Sequence, residues 1–205
     1  MPTPHTIETL QQLQQLFGPV SEASLRKEAD RLVPVYRRWI EASPFAVLAT
    51  SGPGGLDASP RGDAAGFVAV EDDRTLLLPE RRGNNRIDSL RNIVGDPRVA
   101  LLFFIPGVGE TVRVNGRASI RTDAHLLQRF AVAGKPPYCV LRIAVETVFF
   151  QCARAMQRSG LWSSPVARPA GVPSAGEILG ALTQGAIDAP AYDAELGLRQ
   201  RTTLY

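Results

Sequence analysis

The sequence predicts an α+β protein, mainly β, with an antiparallel barrel or sandwich at its centre. Three observations carry this. Apolar runs, several with a two-residue alternation, fill the middle of the chain from Phe45 to Phe149. Short turns rich in Gly, Pro and Asp join several of them, as in hairpins. Few crossover helices fit between them, which argues against a doubly wound parallel sheet.

The elements follow in order. Residues 6 to 17 place Ile7, Leu10, Leu13 and Phe17 on one side of a helix, and Gly18-Pro19 stops it. A second helix is expected over residues 24 to 42, with Leu25, Leu32, Tyr36, Trp39 and Ile40 as its stripe; Pro34 kinks or splits it. Residues 45 to 50 read as a buried strand, Ser51-Gly52-Pro53-Gly54-Gly55 as a turn, and residues 56 to 63 as the returning strand. Pro60 and Gly62 mark that strand as an edge or a bulge. Residues 67 to 70 and 76 to 78 form another hairpin across Asp72-Asp73-Arg74. A helix follows to about residue 94. Residues 99 to 105 are a strongly apolar strand, turned by Pro106-Gly107-Val108-Gly109. Residues 111 to 120 alternate: Val112, Val114, Ala118 and Ile120 face one way, Arg113, Asn115, Arg117 and Ser119 the other. After a short helix over residues 122 to 132, residues 139 to 149 alternate again, with Cys139, Leu141, Ile143, Val145 and Phe149 on one face. The Pro-, Ala- and Gly-rich tail from Pro165 carries short helices near residues 175 to 182 and 192 to 196.

Composition narrows the functional classes. The chain has 205 residues, 44% of them hydrophobic, and a net charge of only +3, which gives little support to nucleic-acid binding. No apolar run approaches the ~20 residues that span a bilayer. No secretory signal is visible at the start, so a cytoplasmic location is the expectation. Cys139 and Cys152 are too few and too far apart for a zinc motif. They read as strand residues rather than a disulfide, Cys152 as a buried, inert thiol. His5 and His125 cannot make a multi-histidine site, and no metal is expected. His125 is placed on a helix surface.

One stretch concentrates charge: Arg81-Arg82-Gly83-Asn84-Asn85-Arg86-Ile87-Asp88-Ser89-Leu90. It lies between the apolar run Leu76-Leu77-Leu78, closed by Pro79, and an amphipathic segment with Ile87, Leu90, Ile93 and Val94 at helical spacing. It reads as strand, tight turn and helix start, with Asn84 or Asn85 as cap and Asp88 in a box-like position. Free N–H groups of a first helical turn and nearby guanidinium forks suit an anion. The stretch is therefore either a phosphate site or a solvated basic turn with an ordinary cap.

Taken together, Phe45 to Thr50, Ser59-Pro60-Arg61-Gly62-Asp63, Pro79-Glu80-Arg81 with Gly83-Asn84-Asn85-Arg86, and Glu110-Thr111-Val112-Arg113-Val114-Asn115-Gly116 resemble the flavin-binding split-barrel proteins of the pyridoxamine 5'-phosphate oxidase-like family. The resemblance runs from about Trp39 to Trp162. It implies a six-stranded antiparallel split β-barrel with a helical pair before it and a helical tail after it. The implied segments are residues 1–43, a helical segment packed on the barrel; 44–165, the FMN-binding barrel; and 166–205, a C-terminal helical extension. It further implies a homodimer with FMN at the interface and a small-molecule substrate, with neither nucleic acid nor membrane as partner. The family grips the flavin phosphate at the basic turn, which points to Pro79, Glu80, Arg81, Arg82, Asn84, Asn85 and Arg86. Asn85 stands where the oxidases have an arginine, with Arg81 or Arg82 as its replacement. Arg61 lies on the strand that runs along the flavin, and Thr111 takes the place of a flavin-contacting glutamine. Arg113 lies near the cleft, and Arg158, Ser159 and Trp162 resemble the segment that closes it. The histidine-containing motif that holds vitamin B6 in the true oxidases is absent. The expected function is an FMN-dependent oxidoreductase working by two-electron transfer at the flavin on a small molecule other than vitamin B6. The alternative is a non-catalytic flavin carrier or redox sensor. No side chain is assigned a catalytic role, because a flavin supplies the chemistry and the protein orients it.

Overall fold

Tight turns and alternating apolar residues build the centre of the molecule, a computed structural model that describes residues 6–163 and 167–205. His5 and the expected boundary at residue 165 lie outside the described residues. β1 (Phe45–Gly52) and β2 (Gly55–Gly62) form a hairpin paired from Phe45↔Gly62 to Gly52↔Gly55. β3 (Ala69–Asp72) and β4 (Thr75–Glu80) form a second. β5 (Arg98–Phe104), β6 (Thr111–Arg121) and β7 (Cys139–Gln151) complete one antiparallel sheet in the order β2-β1-β5-β6-β7-β4-β3. It has seven strands where the family resemblance implied six. The strand segments read directly from the residues also number seven; the shortest strand in the sheet is the edge strand β3, four residues long and paired with β4.

Residues opposite one another on paired strands share a face of the sheet. One row, Leu48–Leu101–Val114–Val148, and the next but one, Ala46–Phe103–Val112, are buried throughout and form the core. The register of β6 on β7 slips after Asn115: Asn115 pairs with Thr147, but Gly116 pairs with Val145. Glu146 is therefore an extra residue, and one extra residue turns every later side chain to the opposite face. This corrects one expectation. Val148 enters the core, and Phe149 leaves the face of Cys139, Leu141, Ile143 and Val145 to lie opposite Arg113. Gly116 is required at the slip, since a Cβ there would run into the Ala144 carbonyl oxygen.

The helices frame the sheet. α1 (Leu10–Phe17), opened by a Thr9–Gln12 capping box, and α2 (Glu22–Arg26) bury no residue. Pro34 splits the expected long helix by starting α3 (Pro34–Ala42), where its missing N–H costs nothing. Tyr36 and Ile40 of α3 reach the core. α4 (Asp88–Gly95) packs over β1, its Asn92 amide donating to the Thr50 hydroxyl at 3.1 Å. α5 (Ala124–Arg129) carries His125 at the surface. α6 (Arg154–Ser159) lies where no helix was expected. α7 (Ala175–Leu182) and α8 (Ala189–Thr202) make a hairpin, in which Asp193 accepts hydrogen bonds from the Ser174 hydroxyl and, at 2.8 Å, from the Gly176 amide. Among the described residues no helix is long and apolar enough to cross a membrane.

Candidate functional site

Four strands separate β2 from β4 in the sheet, yet two ion pairs join their ends. Arg61 Nε lies 2.7 Å from Glu80 Oε1, and Arg81 Nε lies 2.6 Å from Asp63 Oδ2. The sheet must curl to bring these ends together, and a cavity of about 910 Å3 opens along the seam. The Arg61–Glu80 pair is mostly enclosed, with side chains 18% and 12% exposed. Burial pushes the Glu80 carboxyl above its ordinary value, and Arg61 only partly offsets this. Cys139, opposite Glu80 in the register, is pushed up to about 11 by its own burial and by the Glu80 charge. Cys152 is exposed rather than buried, and both thiols are free.

Arg61 also donates to the Ser89 hydroxyl at 3.1 Å. Ser89, buried in the first turn of α4, donates in turn to Asp57 at 2.5 Å, and Ser59 donates to the same carboxylate. Asp57, Ser59 and Arg61 alternate along β2 and share the core-facing side through their partners Thr50, Leu48 and Ala46. Asp57, Ser59 and Ser89 escaped the sequence reading. The two-residue spacing from Arg61 was the available signal for the first two.

The basic turn departs from expectation at its helix start. α4 begins only at Asp88, and its N-cap is Ile87, left-handed at φ 51° and without a side-chain cap bond. Asn85 is also left-handed, at φ 58°. The chain therefore makes an additional turn before the helix, and the asparagines belong to that turn. Asn84 accepts from the Arg86 amide at 3.1 Å instead of capping α4. Asp88 pairs with Arg86 at 2.8 Å. Arg81 is held by Asp63, by the Phe130 carbonyl at 3.1 Å and by the Tyr205 ring 5.2 Å away. Burial raises the Asp63 carboxyl, but hydrogen bonds from Tyr205, the Ala64 amide and Arg81 outweigh it and hold the group below its ordinary value. Arg82 makes no hydrogen bond or ion pair with the described residues.

The cavity thus gathers Arg61 from β2, Pro79 and Glu80 from the end of β4, and Arg81, Arg82, Asn84, Asn85 and Arg86 from the turn. Its four arginines face four acids: Asp57, Asp63, Glu80 and Asp88. The remaining sequence-selected residues lie elsewhere. Arg113 stands opposite Leu102 and Phe149, its guanidinium 5.3 Å from the Phe149 ring, one row away from Arg61 and hence on the other face of the sheet. Thr111 shares that face and lies 3.4 Å from Gln151 through its hydroxyl. Arg158 and Ser159 are exposed on α6, and the Trp162 indole donates to the Val108 carbonyl at 2.7 Å. One chain does not bring these five to the cavity.

A curled antiparallel sheet with an arginine-lined cavity at its seam characterises this α+β protein. The chain belongs to the pyridoxamine 5'-phosphate oxidase family, whose model matches residues 32–152, more than half of its length. Among solved structures it is similar to HupZ of Group A Streptococcus, at 21% identity over 58% of this chain and 94% of that one, with a TM-score of 0.48. An FAD-binding protein of Mesorhizobium loti matches at 22% identity over 60% of this chain and 96% of its own, TM-score 0.40. An FMN-binding protein of Syntrophomonas wolfei matches at 11% identity over 56% and 82%, TM-score 0.43. The sequence matches none of the curated proteins.

Proposed function

We propose that this protein is an FMN-dependent oxidoreductase built on a split barrel and working as a homodimer. The observation that carries the reading is the seam cavity, arginine-lined and within the size range of small-molecule sites, in a chain of an oxidase family. The residues present fit an FMN phosphate. Arg82 has no acidic partner among the described residues, Arg86 is exposed, and Asn84 and Asn85 add neutral donors. The left-handed residues Asn85 and Ile87 set the turn's backbone in the kind of conformation that gathers N–H groups around an anion. Arg61, fixed by Glu80 and Ser89, lines the slot beside it. When bound, the flavin supplies two-electron transfer to or from a small molecule.

The dimer rests on the outer face of the sheet. Val47, Leu102, Phe104 and Phe149 are half-buried there, and Phe45 at its margin is 38% exposed. A second copy seated on this strip completes the cleft by supplying Thr111, Arg113, Arg158, Ser159 and Trp162 from the partner. The finished site then holds both halves of the set that one chain keeps apart.

The test is FMN titration followed by flavin absorbance and native mass spectrometry. One FMN per chain and two chains per particle are expected, with the flavin reduced by a nicotinamide donor under turnover. Arg86→Ala should weaken FMN binding by about 1–3 kcal/mol, the loss of a charge-assisted hydrogen bond. No spectral change at saturating FMN would end the reading. Binding without turnover would leave the carrier or sensor role.

A further inference from the structure

The four arginines and four acids of the seam cavity form three ion pairs. Arg61 pairs with Glu80, Arg81 with Asp63 and Arg86 with Asp88. Among the described residues this leaves one cation, Arg82, and one anion, Asp57, without an ion-pair partner. Arg82 belongs to the flavin reading, whereas Asp57 has no part in it.

Hydroxyl groups hold Asp57 instead. Ser59 donates to it at 2.9 Å from two residues further along β2, and Ser89 donates at 2.5 Å from the first turn of α4. Arg61 reaches the same Ser89 hydroxyl, but its charge is matched by Glu80. One turn further along α4, the Asn92 amide donates to Thr50, the residue paired with Asp57 across the β1–β2 hairpin. The start of α4 is thereby fixed against the Asp57 carboxylate. That helix has no side-chain cap at Ile87, and its first residue is Asp88. The helix end that attracts anions therefore already has two of the chain's own carboxylates beside it. Their influence extends to the turn. The hydrogen bond with Asp88 raises the Arg86 guanidinium above its ordinary value, and the Asp57 charge adds to this. A phosphate drawn to Arg82 and Arg86 meets the Asp57 charge from the α4 side, and like charges repel most where water is partly excluded.

We propose that Asp57 is a specificity-determining residue of the cavity. Its unpaired carboxylate keeps phosphate off the start of α4, confines it to the turn of residues 82–86, and limits the preference for a phosphorylated ligand over its unphosphorylated form. The choice of ligand rests on the flavin reading; the charge effect applies to any phosphate.

Titration of the full chain with FMN, riboflavin and inorganic phosphate tests it, by flavin absorbance for the first two and calorimetry for the third. Asp57→Asn keeps an oxygen that can accept from Ser59 and Ser89 but removes the charge. It should bind FMN and inorganic phosphate at least tenfold more tightly than the wild type, and the ratio of FMN to riboflavin affinity should rise at least fivefold. Asp57→Ser, a second neutral replacement, should move the ratio the same way, and Asp57→Glu should return it to within threefold of the wild type. The gain should shrink as salt is raised, because screening weakens the repulsion that the substitution removes. A carboxylate that only fixes α4 predicts otherwise: the neutral variants would lose FMN and riboflavin alike. The proposal is overturned by that result, or by an unchanged ratio in both neutral variants. If no flavin binds any of the proteins, the flavin reading falls and inorganic phosphate decides. Tighter phosphate binding by Asp57→Asn then leaves the Asp57 role standing, and equal binding removes it as well.

Discussion

The two faces of the curled sheet are finished to different degrees. On the inner face near the seam, polar groups are matched within the chain. Arg61 is held by Glu80 and Ser89, Ser59 and Ser89 both donate to Asp57, and Arg81 is held by Asp63. On the outer face, Val47, Leu102, Phe104 and Phe149 are only half-buried, and Arg113 lies against an aromatic ring rather than an acid. The contrast explains why the sequence-selected site is divided. A strand alternates its side chains, so Arg61 and Arg113, one row apart in the register, cannot converge within one chain.

The inner face should give the strongest response to mutation. Arg61→Ala removes the cation from an enclosed pair and leaves Glu80 with neither charge partner nor easy access to water. Breaking such a pair costs about 3 kcal/mol. Arg113→Ala forfeits only a contact with the Phe149 ring, about 0.5–1 kcal/mol. Urea unfolding of both variants makes the comparison. Equal losses would erase the distinction between a finished and an unfinished face.

The outer face comes next. Leu102→Asp puts a charge in the middle of the half-buried strip, where a second copy would have to desolvate it. If the proposed homodimer uses this strip, the variant should run as a monomer at concentrations where the wild type associates. It should keep its far-ultraviolet circular dichroism and bind FMN at least tenfold more weakly. A dimer that tolerates the Leu102→Asp change would place the interface elsewhere.

Much of this contrast was legible in the sequence, and the failures have physical causes. The strands were readable because the continuous apolar run that became β5 and the alternation in the segments that became β6 and β7 are local properties. Phe149 was misplaced because Glu146 is an extra residue only relative to its partner strand, and a single strand carries no mark of that. The arginine cluster was visible as a run of residue types. Its acids were not: Asp63 and Glu80 meet Arg81 and Arg61 only because the sheet curls, and residues 18 or 19 positions apart show no periodic relation. The asparagine cap was a sound local inference, but left-handed Asn85 and Ile87 delay the helix to Asp88.

The weakest response separates the two seam pairs from each other by pH. Asp63 is held below its ordinary value in the fold, so its contribution to stability is present above the unfolded value of about 3.9 and is lost as pH falls through the folded one. Glu80 is raised, so its contribution is fully present below the unfolded value of about 4.3 and is lost as pH rises through the folded one. The two substitutions should therefore show opposite trends. Asp63→Asn should fall further behind the wild type as pH rises from about 3.5 towards about 7 (about one pH unit on either side of about 4 would already reveal the sign). Glu80→Gln should gain on the wild type over the same interval, because the glutamine escapes the growing penalty of a buried charge. Urea midpoints across that range measure both. Parallel trends would mean that the two carboxylates sit in equivalent surroundings, and that the extra hydrogen bonds Asp63 accepts from Tyr205 and the Ala64 amide, which Glu80 lacks, do not govern their ionisation.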